Sequence, residues 1–179
     1  MASGEIIDIL NDGDEIVGTM TREEAEKDNH TTQNVLVFVF NSLGKVWVQL
    51  RPKTKSHYPG RWDISACGSV LSGEKPEQAA MRETFEETGL KLKLKYVTSF
   101  LNVFPGDNGE ERRRLSHLYV STSDEQPRTG EEAEEFKAWL PEDLSRDVQS
   151  NPEMYIPSFL IELDKALEGY KELVKHLQD

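Results

Sequence analysis

Apolar and polar residues along this 179-residue chain recur with periods that change from strand-like to helical and back. Near the N-terminus, "EIIDIL" and "EIVGTM" flank the turn sequence "NDGD", a pattern that predicts a β-hairpin. "TREEAEKDN" follows, with Thr21 and Glu24 spaced as a capping box, which predicts a short helix. "NVLVFVF" is unbroken in its apolar character from Val35 to Phe40 and predicts a buried strand. After the turn "NSLG", the segment "KVWVQLR" alternates as a second strand, and "WDISACGSVL" is extended as far as the turn "SGEKP". "KLKLKYVTSFLNVF", "LSHLYVST" and "EEFKAWL" predict three further strands.

Three later segments carry helical signals. "PEQAAMRETFEETGL" opens with Pro76 in its first turn, continues in good helix formers and places Gly89 where a C-terminal cap belongs. "PEDLSRDVQ" is a short helix opened by proline. From about Pro157 onward, Phe159, Leu160, Leu163, Leu167, Leu173, Val174 and Leu177 mark a long amphipathic helix, interrupted in pattern near Gly169. Strands interleaved with helices predict an α/β (α+β) sandwich in one domain over residues 1–179. Its subdivisions are a hairpin and short helix over 1–30 and a C-terminal helix over 157–179. The order of strands in the sheet does not follow from these patterns.

Composition narrows the function classes. Hydrophobic residues at 36% and charged residues at 30% suit a soluble folded chain. The longest apolar run, Val35 to Phe40, is far shorter than the ~20 residues of a membrane-spanning helix, so no membrane partner is expected. "MASGEIIDIL" lacks a basic region followed by an apolar stretch, and the single cysteine, Cys67, permits no internal disulfide. A cytoplasmic location is the resulting expectation. The net charge of -12 argues against binding a nucleic acid duplex, which depends on neutralising phosphates with Lys and Arg. A phosphate-bearing substrate would need a divalent cation between itself and so acidic a protein.

The candidate chemistry lies on the helix opened by Pro76. Glu83, Glu86 and Glu87 stand at i, i+3 and i+4 and share one helical face. Like charges at this spacing cost ~0.2–0.5 kcal/mol per pair. A hard cation such as Mg²⁺, which takes oxygen ligands, would relieve the repulsion. Arg82, four residues before Glu86, could orient that carboxylate. Three glutamates alone also fit a solvated acidic face. The surrounding order distinguishes the two: Gly68, five residues, Glu74, seven residues, Arg82-Glu83, two residues, Glu86-Glu87, one residue, then Gly89 and Leu90. This resembles the Nudix box, the loop–helix signature of the Nudix hydrolases, over residues 68–90. Thr84 departs from it, standing where the family usually has an aliphatic residue.

The resemblance implies a Nudix-type α/β/α sandwich with a mixed central sheet. It also implies Mg²⁺- or Mn²⁺-dependent cleavage of a diphosphate linkage in a nucleoside diphosphate-X or a related small molecule. Glu86 and Glu87 would be the main metal ligands, with Glu83 a further ligand or base and the Gly68 carbonyl completing the shell. Arg82 would hold a carboxylate in place and Glu74 would support the loop–helix geometry. Nudix enzymes often take another carboxylate from a later loop, and "GEEAEEF" offers Glu132 or Glu135. Arg51, Lys53, Lys55, His57 and Arg61 precede the box, and Arg112, Arg113 and Arg114 form a second basic cluster. Either group could hold phosphates, because Arg meets phosphate oxygens bidentately; Arg51, Lys53 and Arg61 are the substrate-binding candidates. Trp62 and Phe104 are candidates for stacking on a base.

"GTMTREEA", the "FN" at the end of the first core strand and "YPGRWDISACGSV" resemble the branch containing isopentenyl-diphosphate isomerase and its related hydrolases. The isomerase has its catalytic cysteine at the position of Cys67. It also builds a histidine-rich metal site and usually lacks the first two box glutamates. Here Ser69 follows Gly68, Thr32 stands at the expected strand position with only His30 nearby, and Glu83 and Glu86 are both present. The hydrolase is therefore the favoured reading. The isomerase acting through Cys67 and a non-catalytic diphosphate-binding module are the alternatives, and the N-terminal hairpin and C-terminal helix are candidate surfaces for a homodimer.

Overall fold

The computed structural model describes residues 4–178, with side chains through His176; Leu177, counted above on the C-terminal helix, lies outside the described side chains. The N-terminal hairpin forms from β1 (Ile6–Leu10) and β2 (Ile16–Thr21), paired antiparallel. Its turn is held by the Asn11 side chain, whose Oδ1 accepts from the Gly13 and Glu15 amides at 2.9 and 3.0 Å. Helix α1 (Arg22–Lys27) follows, with the capping box present in both directions between Thr21 and Glu24. The hairpin is tied to the rest of the chain by Leu10 N–H to Thr31 C=O and Ser72 N–H to Ile6 C=O. These bonds bring α1 beside the loop that enters the box.

The central sheet is mixed. Its core strand, β3 (Thr32–Phe40), lies parallel to β8 (Glu111–Thr122) along one edge. Along its other edge it pairs antiparallel with β6 (Ala66–Ser69), and at Phe40 alone with β4 (Val46–Leu50). β4 in turn carries β5 (Trp62–Asp63) and β9 (Glu135–Trp139), while β7 (Lys95–Pro105) flanks β8. The sheet thus splits where β3 parts from β4, and the cleft described below opens at that split.

Helices cover both faces. Leu36, Phe38 and Phe40 of β3 point towards α3 (Pro141–Ser150) and α4 (Phe159–Gln178), packing with Leu144, Val148, Phe159 and Leu163. Val35, Val37 and Val39 point the other way, onto Ala79 and Ala80 of α2 (Pro76–Thr88). The unbroken apolar run of this strand follows from its being buried on both faces. Small residues at 79 and 80 bring α2 close to the sheet. Thr84 is buried among them, and its hydroxyl is satisfied by the Ala80 carbonyl at 2.7 Å, so the departure from an aliphatic residue leaves no orphaned polar group.

Two elements differ from the sequence expectations. β8 begins at Glu111 and not at Leu115, so the three arginines are strand residues, pairing with Asn102, Val103 and Phe104 of β7. Gly169 is not an irregularity in α4: a Cβ there would fall on the Val97 side chain of β7, so this helix approaches the sheet closely only with glycine at that position.

Candidate active site

The box helix is positioned by its ends and its neighbours. Pro76 starts it, and Gly89 ends it in the left-handed conformation at φ 73°, donating to the Phe85 carbonyl. The entering loop is fixed by Arg82, whose Nε and Nη2 each reach a Glu74 oxygen at 2.9 Å, while Nη2 also donates to Ser69 C=O at 3.0 Å. Glu74 Oε2 accepts from the Leu71 amide as well. Arg82 therefore joins loop to helix, and its third partner is Glu83 at 2.6 Å. The expected pairing with Glu86 is the long one, 3.5 Å, because the guanidinium is already engaged by Glu74.

The three glutamates occupy different environments. Glu83 is buried against Gly68, where any Cβ would overlap its carboxylate. The alternation of β6 places Gly68 towards α2 and its neighbour Cys67 on the α4 side. Burial pushes Glu83 up to about 7 in spite of the Arg82 contact, with the charge of Glu86 adding to the rise. Glu87 reaches under the loop, its Oε2 accepting from Gln49 Nε2 at 2.6 Å and the Cys67 amide at 3.1 Å. Burial, then the proximity of Glu83, raises it well above the usual carboxylate range. Glu86 is open, with 54% of its side chain exposed.

Among the described residues, no three acidic, histidine or cysteine side chains already converge in a metal-ligating arrangement. The donor set itself is one of hard oxygens, suited to Mg²⁺ or Mn²⁺. Two carboxylates whose ionisation is suppressed by burial and mutual repulsion form a site short of positive charge, which a divalent cation would supply.

All three glutamates, with Gly68, line one pocket. Arg51, Lys55 and His57 also line it, whereas Lys53 is exposed elsewhere and Arg61 turns away to the Tyr155 carbonyl and the Tyr58 ring. Arg51 is held by Asp63 at 2.9 Å and by the His57 carbonyl. Strand alternation sorts the second basic cluster: Arg112 and Arg114 line the pocket, while Arg113 points away and meets Glu111. Phe104 lines the pocket beneath Arg114, but Trp62 packs against the core. Of the two later acids, Glu132 lines the pocket and pairs with Lys55, whereas Glu135 is an exposed strand residue opposite Leu50, outside it.

Several pocket residues carried no sequence signal: Glu5, Arg22 and Glu26 from the N-terminal segment, Asp63, and Glu162 of α4. Only the capping box foretold α1, and nothing in it foretold that the helix would turn Arg22 and Glu26 inward. Burial opposes ionisation of Glu26, yet His57, Arg22 and Arg114 together outweigh it and hold its pKa near about 2.

His57 latches the pocket's rim. Its Nε2 meets Glu26 at 2.8 Å and its Nδ1 meets Asp107, in the β7–β8 turn, at 3.2 Å. Neutral imidazole has one N–H, so both contacts are hydrogen bonds only in the protonated ring. The Glu26 bond, against some desolvation and with help from Asp107, raises the His57 pKa above 6.5. The latch is thus fully formed below about pH 6.5 and lost as pH rises through the raised value. A double-mutant cycle with His57→Ala and Asp107→Asn, read by denaturant unfolding, should show coupling near pH ~6 that vanishes near pH ~9. Coupling independent of pH would contradict the latch.

The comparisons with known proteins accord with this geometry. Residues 30–156 match the NUDIX domain family, an interval that contains the whole box and most of the pocket wall. The chain belongs to the Nudix family. Among relatives, an isopentenyl-diphosphate Delta-isomerase of Pectobacterium atrosepticum is 26% identical over 152 residues, covering 84% of this chain and 85% of that protein. An uncharacterized Nudix hydrolase of Listeria monocytogenes is 40% identical over 88 residues, 49% of this chain and 52% of its own length. Among solved structures, the DR0079 protein of Deinococcus radiodurans superposes with a TM-score of 0.76 at 25% identity, over 90% of this chain and 99% of that one. The NUDIX domain of Shewanella oneidensis NrtR, solved with ADP ribose, shares the fold at a TM-score of 0.59 and 17% identity, over 84% and 99% of the two chains. This Nudix chain therefore resembles both an isomerase-named branch and Nudix hydrolases, and no helix among its described residues is long and apolar enough to cross a membrane.

Proposed function

We propose that this Nudix chain hydrolyses a diphosphate linkage in a nucleoside diphosphate-X or a related small diphosphate, with water as the nucleophile. The observation that carries this reading is the gathering, in the lining of one pocket, of Glu83, Glu86 and Glu87 with the cationic side chains Arg22, Arg51, Lys55 and Arg114. Acids that gather a cation and bases that meet phosphate oxygens are the two requirements of a diphosphate site in so acidic a protein.

Glu86 and Glu87 would hold Mg²⁺ or Mn²⁺ together with Gly68, and Glu83 would serve as a further ligand or as base. The bound cation would screen the diphosphate and make a water easier to deprotonate. Gln49 and the Cys67 amide fix the rotamer of Glu87, and Arg82 does the same for Glu83 through its anchorage on Glu74. Arg51, prevented from swinging by Asp63 and the His57 carbonyl, presents its charge without a large ordering cost on binding. Lys55 and Glu132 neutralise one another until a phosphate competes for the lysine. Screening ADP-ribose, nucleoside diphosphate sugars, dinucleotide polyphosphates, nucleoside triphosphates and prenyl diphosphates with Mg²⁺ and Mn²⁺ tests this. Absence of turnover across all classes would overturn it.

The isomerase reading is favoured by one observation, that Cys67 lines the pocket. Double-bond migration needs an acid–base pair across an apolar cavity. Around Cys67 the lining mixes Leu36, Ile156 and Pro157 with the charged or polar Asp63, Arg51, Ser158 and Glu162, and His57 is the one histidine among the described lining residues. The thiol is pushed far up by burial and by Asp63 and Glu87, so it is neutral at physiological pH. Cys67→Ala is expected to retain diphosphate hydrolysis within a few-fold. A wild type that isomerises isopentenyl diphosphate, with a Cys67→Ala variant that does not, would establish the alternative.

A further inference from the structure

Glu162 has no part in the chemistry just described, yet it borders the same pocket. It lies near the start of α4, only 2% exposed, and lines the pocket with Ile156, Pro157, Ser158, Asp63 and Cys67. Its Oε1 accepts from Asn102 Nδ2 at 2.8 Å. Its Oε2 is buried and has no hydrogen-bond partner among the described residues. Oε1 serves the fold, since the buried Asn102 amide depends on it, but a buried carboxyl oxygen without a partner is destabilising. The fold therefore accounts for Oε1 and not for Oε2.

The placement of the other groups does. The side chains offered to a diphosphate lie nearer solvent: Glu86, Lys55, Arg22 and Arg51 are 54%, 27%, 25% and 19% exposed, against 2% for Glu162. A diphosphate held by them would direct its attached organic group inward, towards the buried end that Glu162 lines with one oxygen engaged and one free. We infer that Glu162 is the specificity-determining residue of the pocket, its free oxygen hydrogen-bonding a polar atom of a sugar or base and selecting such diphosphates over prenyl diphosphates. The inference rests on the diphosphate reading above. Burial, with the charge of Asp63 adding to it, outweighs the nearby Ser158 and Asn102 donors and raises the carboxyl to about 8, so in neutral solution it is an acid with an O–H to donate. An apolar prenyl chain would leave that group unpaired, the arrangement by which buried polar groups reject ligands that lack the matching atom.

Equilibrium binding by calorimetry, in the presence of Mg²⁺, tests this without requiring turnover. The probes are α,β-methylene-ADP, methylenediphosphonate (which lacks any organic group) and isopentenyl diphosphate. Glu162→Leu should weaken α,β-methylene-ADP by about 10–100-fold and leave methylenediphosphonate unchanged. Glu162→Gln, which keeps a donor and the Asn102 contact, should bind α,β-methylene-ADP within a few-fold of wild type. Glu162→Met fills the site with a more adaptable side chain and serves if the leucine variant does not fold. Unchanged α,β-methylene-ADP affinity in the apolar variants, equal loss of both phosphonates, or wild-type preference for isopentenyl diphosphate would each overturn the inference. Selective binding without hydrolysis of any diphosphate would overturn the proposed reaction and leave the role of Glu162 standing.

Discussion

Glu86→Gln is expected to lower kcat for diphosphate hydrolysis by a factor of about 10² or more, a loss of about 2.7 kcal/mol in transition-state stabilisation. Of the three box glutamates it is the one whose substitution should report chemistry alone. Glu83 is buried against Gly68 and bonded to Arg82, and Glu87 holds Gln49 and the Cys67 amide, so altering either also disturbs packing. Glu86 is more than half exposed, with a single long contact to Arg82. An exposed pair of that kind contributes ~0–1 kcal/mol, so the Gln variant should unfold at nearly the wild-type denaturant midpoint. Its Mg²⁺ requirement should rise while its fold is unchanged. Activity within a few-fold of wild type at the same Mg²⁺ concentration would remove Glu86 from the cation site.

Gly68→Ala should do more with fewer atoms. A single methyl at this position occupies the space of the Glu83 carboxylate, and neither partner has room to retreat. Gly68 is held in the β3–β6 ladder opposite Val35, and Glu83 is held by Arg82, which is itself clamped by Glu74 and Ser69. The variant is expected to lose about 1–3 kcal/mol of stability, the usual cost of overpacking, together with most of its activity, because Glu83 must leave its place. Denaturant unfolding and steady-state rates on the same preparation check both. Cys67→Ala, one residue away but facing α4, is expected to change neither by much. That contrast between neighbours follows from strand alternation alone. Full activity in Gly68→Ala would show that Glu83 acts from a different position.

The box itself was legible because its information is local. Pro76, the i, i+3 and i+4 glutamates and Gly89 all act within one helix, and helical geometry carries them to one face whatever surrounds it. The hairpin, the Thr21 capping box and the alternating strands were legible for the same reason. The basic candidates fared unevenly, since their orientation depends on elements far away in the chain. Lys53 and Arg61 lie in the same loop as Arg51, Lys55 and His57, but that loop is shaped by left-handed turns at Tyr58 and Gly60 and by docking to Asp107 and Pro105. Those contacts decide which cations face inward. The arginine cluster became readable only when β8 was seen to begin at Glu111, after which the period of two assigned Arg112 and Arg114 to the pocket.

By itself the sequence determined most of the elements, the burial of the central strand, the family and the carboxylate-bearing helix, because each rests on spacing between residues near one another in the chain. Only the tertiary structure decided what those carboxylates face. Arg22 and Glu26, His57, Asp63, Asp107 and Glu162 come from five separate segments, and they meet because the sheet splits between β3 and β4 and the hairpin, the β7–β8 turn and the start of α4 close around the gap. No local pattern encodes such a meeting. An acid at position 162 has the same helical signal whether it faces solvent or a buried pocket, and its environment is fixed by long-range packing.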